Sequence, residues 1–319
     1  MKGKAFSHEQ VSVIVCTRNR ADLLDRCLAR LAEMRPAAGE VLVVDQSESP
    51  SSGMVARGYQ DRIPGLRHLA TPTRGLSRAR NVGIQEARGE ILAFIDDDCL
   101  ARTDWVGAVA EAFSRYPEIA VLTGGSVPEA RDCTDPRILA ATTWHPKTPR
   151  MVRSFVDPAG VGGGFNLSLK KRWIETVGNF DPALGAGGRF RSAEDTDFIH
   201  RILCAGGVVR YDPDVVVAHL PWRDGEFQSA VEWEYGYGIA AWALKRLGCG
   251  DFFPARVAGH VFLVQGRRAL GGLLRRDDSA WKTGVAYVSG LGRGLVSWLM
   301  TSGHPGSREE IPGEAKTGG

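Results

Sequence analysis

The chain has 319 residues, 43% of them hydrophobic, and a formal net charge of +3. That length can bury a large core, in one extended domain or one and a half, and the charge argues neither for nor against nucleic acid. The six cysteines show neither CxxC nor His-rich spacing, which excludes a zinc ribbon or a disulfide framework and fits reduced thiols. Residues 1–10 are polar with no apolar signal region, and the most apolar window, 283–300, carries Arg293. A cytoplasmic protein without a membrane-spanning helix is therefore expected.

In chain order, the β-branched run at residues 11–16 predicts a strand, and Leu23, Leu24, Cys27, Leu28 and Leu31 repeat at helical spacing over 22–34. A second strand over 41–44 ends in Asp45, and 47–53 reads as a turn cluster. A short strand is expected at 66–69 and a helix at 76–87, with Gly89 placed for a left-handed cap. The five apolar residues 91–95 read as a strand buried on both faces, followed by a helix over 104–116 and a strand over 119–122. This βαβα alternation predicts an α/β fold with a mostly parallel sheet. The proline-rich span 128–158 reads as a long functional loop or an irregular excursion. After it come a glycine-led strand at 162–169, helices at 170–177 and 193–204, and two strands at 208–211 and 215–218. From Phe227 onward the chain reads as a helical extension to about residue 300, followed by a polar tail expected to be disordered.

Polar residues cluster where these strands end: Thr17, Arg18 and Asn19, then Asp45, then Asp96, Asp97 and Asp98. In an open α/β sheet, ligands sit outside the carboxyl ends of the strands. Three adjacent carboxylates there form either a solvated acidic turn or a site for Mg²⁺ or Mn²⁺, and their surroundings favour the metal. The chain lacks both GxxxxGK[ST] and a well-placed GxGxxG, which disfavours nucleotide kinases and dinucleotide oxidoreductases. Ser192-Ala-Glu-Asp195 reads either as a capping box or as a carboxylate crowded by Glu194 and Asp197 into a general base. His219 is either a satisfied strand-end histidine or a metal ligand. Between Lys245 and Met300, nine Lys or Arg face three Asp among Trp and Leu residues, a pattern of core packing with solvated charge or of contact with anionic lipid.

The blocks VSVIVCTRNR, VLVVDQS, GLSRARNVGIQEARGEILAFIDDDC and GGGFNLSLKK followed by EDTDF resemble glycosyltransferase family 2, over about residues 11–220. The resemblance implies a GT-A-type Rossmann-like fold at 1–225, a helical extension at 226–300 for acceptor or membrane surface, and a tail at 301–319. It implies a hexosyltransferase-type enzyme of glycan biosynthesis, whether for the cell envelope or for a natural product. Such an enzyme moves a sugar from a UDP- or dTDP-linked donor to a hydroxyl on a glycan, lipid-linked or small-molecule acceptor, inverts configuration, and has no nucleic-acid partner. Thr17, Arg18, Asn19, Asp45 and Arg80 (or Arg74 in its place) would bind the donor with Asp96 and Asp97. Asp98, with Asp96 and His219, would hold the metal, and Asp195 beside Glu194 would be the base. Cys16 and Gln46 depart from the family's usual proline and acid. A nucleotidyltransferase and a non-catalytic binding protein are the alternatives. Peripheral contact with the inner membrane face would come from the C-terminal helices.

Overall fold

The computed structural model describes residues 5–129, 144–154, 161–220 and 225–302. One sheet orders β3-β2-β1-β4-β8-β6-β9-β5, with β7 added along β9. Its first half is parallel: β3 (Leu66–Ala70), β2 (Glu40–Asp45), β1 (Val11–Thr17) and β4 (Ile91–Asp96). β1 and β2 pair Thr17 with Asp45, and β1 and β4 pair Cys16 with Asp96, so the polar strand ends lie side by side. Strand order reverses at β1, and the crevice at such a switch point is where open sheets bind ligands.

The second half departs from pure parallel pairing. β8 (Asn166–Lys170) runs antiparallel between β4 and β6 (Ile119–Pro128), pairing Ile95 with Asn166. It enters at the carboxyl edge from the glycine segment and runs back into the core, so the fold remains mostly parallel with an antiparallel insertion. The two expected strands after residue 207 are one, β9 (Val208–His219). Its pairing with β6 jumps from Gly124–Asp212 to Gly125–Val216, so the turn-like Asp-Pro-Asp segment is absorbed as an irregularity within a continuous strand. A three-residue strand too short for periodicity to reveal, β5 (Cys99–Ala101), pairs Cys99 with His219.

Helices α1 (Ala21–Leu31), α2 (Ser51–Gly58) and α4 (Trp105–Arg115) cover one face, and α3 (Leu76–Glu86) and α6 (Glu194–Cys204) the other. The expected turn at 47–53 gives way to α2 at Ser51, where Pro50 precedes the first helical residue. Residues 170–172 precede the short α5 (Trp173–Val177), because Lys170 completes β8. Gly89 is not left-handed; a Cβ there would lie 2.5 Å from the Gln10 carbonyl oxygen, so close approach to β1 is what requires glycine. Within 128–158, β7 (Arg150–Val152) pairs with β9 and Trp144 bridges to Ser126; residues 130–143 and 155–158 of that expected loop lie outside the described residues.

The C-terminal region forms α7 (Gly225–Leu247), α8 (Phe253–Arg275) and α9 (Asp278–Ser302). Ile239, Ala240 and Trp242 of α7 join the core that also holds Phe94, Phe180 and Phe198. Ion pairs fasten α7 as well: Arg246 reaches Asp197 at 2.6 Å, and Lys245 pairs with Asp181. The expected tail begins inside α9 and is otherwise outside the described residues.

Candidate active site

A cavity of about 640 Å³ opens at the carboxyl edge of β1 and β4. Of the residues singled out from sequence, Thr17, Arg18, Arg80, Asp96, Asp98, Glu194 and Asp195 line it. Asn19, Asp45, Asp97 and His219 are not among its lining residues. Its far wall comes from α7 and α9 through Phe227, Val231, Glu234, Tyr235, Ile239 and Tyr287.

The three aspartates have distinct surroundings. Asp97 is fully buried; it accepts a hydrogen bond from the Thr17 hydroxyl at 2.7 Å and pairs with Arg20 at 2.6 Å. Burial pushes its carboxyl up to about 7 against the pull of the Arg20 guanidinium. Asp96 faces the cavity 3.5 Å from Arg80, and burial raises its pKa too, with Arg80 opposing. Asp98 has Arg20 at 3.4 Å on one oxygen and His219 Nε2 at 3.6 Å from the other. That proximity follows from β5, which begins directly after Asp98 and pairs with the last residue of β9. Asp98, Cys99 and His219 thus group three donor atoms. Burial raises the Cys99 thiol well above its usual value, leaving the carboxylate and the imidazole as the available hard ligands.

Across the cavity, α6 begins with Glu194. The residues before it hold an uncommon path: Arg191 and Ala193 have φ of 62° and 71°. Such left-handed conformations in non-glycine residues persist only where surrounding contacts enforce them. Here Ser192 donates its hydroxyl to the Glu234 carbonyl at 2.8 Å. The capping box therefore does not form, and Ser192 ties the α6 entry to α7 instead. Asp197 belongs to a different group from Glu194 and Asp195: it turns to Arg201 and Arg246, which hold its carboxyl below the usual range despite burial.

Asp195 is oriented by backbone donors. Its Oδ2 accepts from Gly164 N–H at 2.8 Å and its Oδ1 from Thr196 N–H at 2.7 Å. Glu194 is buried against Arg80, which donates to its Oε1 at 2.9 Å. Burial and the neighbouring Asp195 push Glu194 up to about 7. Arg80, 2% exposed, also lies over the Phe94 and Phe180 rings. Gly164 passes so close that a Cβ would meet Arg80 Nη2 at 2.5 Å.

On the β2 side, Asp45 accepts from Ser47 N–H at 2.8 Å and stands 2.9 Å from His68 Nε2. Asn19 accepts from Glu48 N–H at 3.0 Å. Gln46 lines the cavity itself, donating to the Gly75 carbonyl at 3.1 Å. Sequence reasoning missed Arg20 and Arg191, and named Gln46 only as a departure from the family's usual acid. Arg20 lay in plain view three residues after Thr17, but nothing local indicated that it would reach the aspartates.

The family model "Glycosyl transferase family 2" matches residues 12–178, more than half of the chain. The chain is 27% identical over 277 residues to the succinoglycan biosynthesis protein ExoM of Rhizobium meliloti, covering 81% of this chain and 87% of that protein. It is 29% identical over 248 residues to glycosyltransferase AglE of Haloferax volcanii, covering 76% and 77%. A mannosyltransferase from Pyrobaculum calidifontis, solved with GDP-Man and Mn²⁺, shares the fold at a TM-score of 0.58 and 20% identity, over 90% of this chain and 87% of that one. TarS residues 1–349 from S. aureus, solved with UDP-GlcNAc, gives a TM-score of 0.52 at 16% identity, over 88% and 90%. The chain belongs to glycosyl transferase family 2 and is a glycosyltransferase that moves a sugar from a nucleotide-sugar donor.

Proposed function

We propose that the chain is a metal-dependent, inverting glycosyltransferase with Asp195 as general base, acting on a hydroxyl acceptor and a UDP- or dTDP-linked sugar. The observation that carries this reading is that one cavity holds the Asp96–Asp98 strand end and the Glu194–Asp195 helix start, joined by Arg80.

The donor atoms fit a hard divalent cation. Asp98 Oδ1 and His219 Nε2 stand 3.6 Å apart, near the roughly 3 Å between adjacent ligands of a six-coordinate ion. Asp98 with His219, and Asp96 beside them, would hold Mg²⁺ or Mn²⁺; the related mannosyltransferase was solved with Mn²⁺. Bound there, the cation would offset charge on the departing diphosphate.

The chain's own residues supply the rest. The two backbone N–H groups fix the Asp195 carboxylate while leaving lone pairs free to take the proton of the acceptor hydroxyl as it attacks the anomeric carbon. Arg80 keeps the acids on either side of the cavity from repelling each other, and Arg18 and Thr17 border the donor's end. Asp97 supports Thr17 and Arg20 from behind. Asp45 would reach a donor base by exchanging its His68 contact, with Asn19 holding the adjoining loop. Gln46 already faces the cavity.

Asp195→Asn tests the assignment. It should keep nucleotide affinity, read by thermal shift against UDP, dTDP, GDP and ATP with and without Mn²⁺, and lose about 10²–10⁴-fold in turnover. Normal binding with wild-type turnover would sink it. A ligand at a hundred times its Kd stabilises by about 2.7 kcal/mol, so the panel also identifies the base. Asp98→Ala should abolish the metal-dependent part of that shift.

A further inference from the structure

Helices α8 and α9 present apolar side chains outward, beyond what the catalytic reading uses. Leu263, Leu270 and Leu274 share one face of α8, and Val285, Val296 and Leu299 one face of α9. All six are exposed, Leu274 to 75%. Globular chains seldom leave so many large apolar side chains in water on adjacent helices. Neither helix is long and apolar enough to cross a membrane.

Charge identifies what covers it. From Phe253 to Ser302 the chain carries seven Lys or Arg, all exposed, and only two acids, Asp277 and Asp278 at the bend between the helices. Arg256 and Arg267 fall on the same helical face as the α8 leucines, and Lys282 and Arg293 accompany the apolar stripe of α9. A second copy of this chain would set cations against cations. Apolar side chains interleaved with basic ones match the boundary between acyl chains and anionic headgroups.

We propose that the outer face of α8 and α9 docks on the surface of an anionic bilayer, with the helices lying in the interfacial plane. α7, which walls the cavity, packs beneath both helices, so the cavity wall and the docking face belong to one packed helical unit.

The test is flotation of the full chain with phosphatidylcholine vesicles containing phosphatidylglycerol, beside vesicles of phosphatidylcholine alone. Flotation should require the anionic lipid and weaken as salt rises. Leu270→Asp with Leu274→Asp should abolish it. Arg256→Glu with Arg267→Glu, which leaves the apolar residues in place, should lower partitioning at least roughly 30-fold. Nucleotide-induced thermal shifts should stay at wild-type size in both variants, separating this result from any failure of the catalytic assignment. Absence of flotation, equal flotation with neutral vesicles, or a wild-type dimer that Leu270→Asp with Leu274→Asp converts to monomer would overturn the proposal.

Discussion

Arg80 donates to Glu194 at 2.9 Å across a separation of 114 residues, and its other terminal nitrogen lies 3.5 Å from Asp96. One buried guanidinium therefore joins the helix start that carries Asp195 to the strand end that carries the acidic run. Its planar fork spans two carboxylates, which an ammonium on a flexible stem does not do in a single geometry.

Removing Arg80 should be costly in a pH-dependent way. Arg80→Ala leaves Glu194 and Asp96 without their shared cation, and breaking a buried pair from one side typically costs about 3–5 kcal/mol. Protonation of Glu194 would relieve part of that, so urea denaturation should show a smaller penalty at pH 6 than at pH 8. Arg80→Lys should recover only part of the stability and little turnover. A uniform penalty across that pH range would show that the Arg80–Glu194 pair is not its source.

Much of this arrangement was legible in the sequence, and the exceptions share a cause. Long apolar runs at β1, β2 and β4 end in polar residues, so the parallel half of the sheet and the row of polar strand ends followed from periodicity. β5 did not, because three residues carry no period, and with it went the reason His219 reaches Asp98. The capping-box reading of Ser192 was locally sound, yet a hydrogen bond to the Glu234 carbonyl outweighs it. Asp197 sits one turn from Glu194 but is drawn to Arg246, 49 residues away. Local pattern locates elements and acids; pairing across the chain decides which acids share a site.

Glu194 gives a second prediction. Its folded-state pKa of about 7 lies above its ordinary 4.5. Between those values the folded chain holds a proton that the unfolded chain has released, so stability falls as pH rises through this window. The contribution is fully present below 4.5 and is lost once pH passes 7. Glu194→Gln does not titrate, so the wild type should lose Tm relative to the variant as pH climbs from 5 to 8, measured without metal or nucleotide. Parallel Tm–pH curves for the two proteins would show that Glu194 keeps an ordinary pKa.

Asp197 has the opposite sign. Arg201 and Arg246 depress its carboxyl below 3.8, so in acid the unfolded chain binds the proton that the folded chain refuses. Its stabilisation is therefore complete above that value and disappears as pH falls through the lower, folded pKa. Arg246→Ala removes one of the two cations and loosens α7 from α6; with Arg201 still in place the cost should be about 3 kcal/mol near neutral pH, at the low end for a broken buried pair. The variant's acid-unfolding midpoint should move to higher pH. Because α7 supplies Val231, Tyr235 and Ile239 to the cavity wall, acceptor KM should rise more than kcat falls, while donor-nucleotide affinity stays near wild type. An unchanged acid midpoint would separate the Asp197 cluster from the docking of α7 and leave the core residues around Trp242, with the Lys245–Asp181 pair and the Ser192 hydrogen bond, to hold that helix.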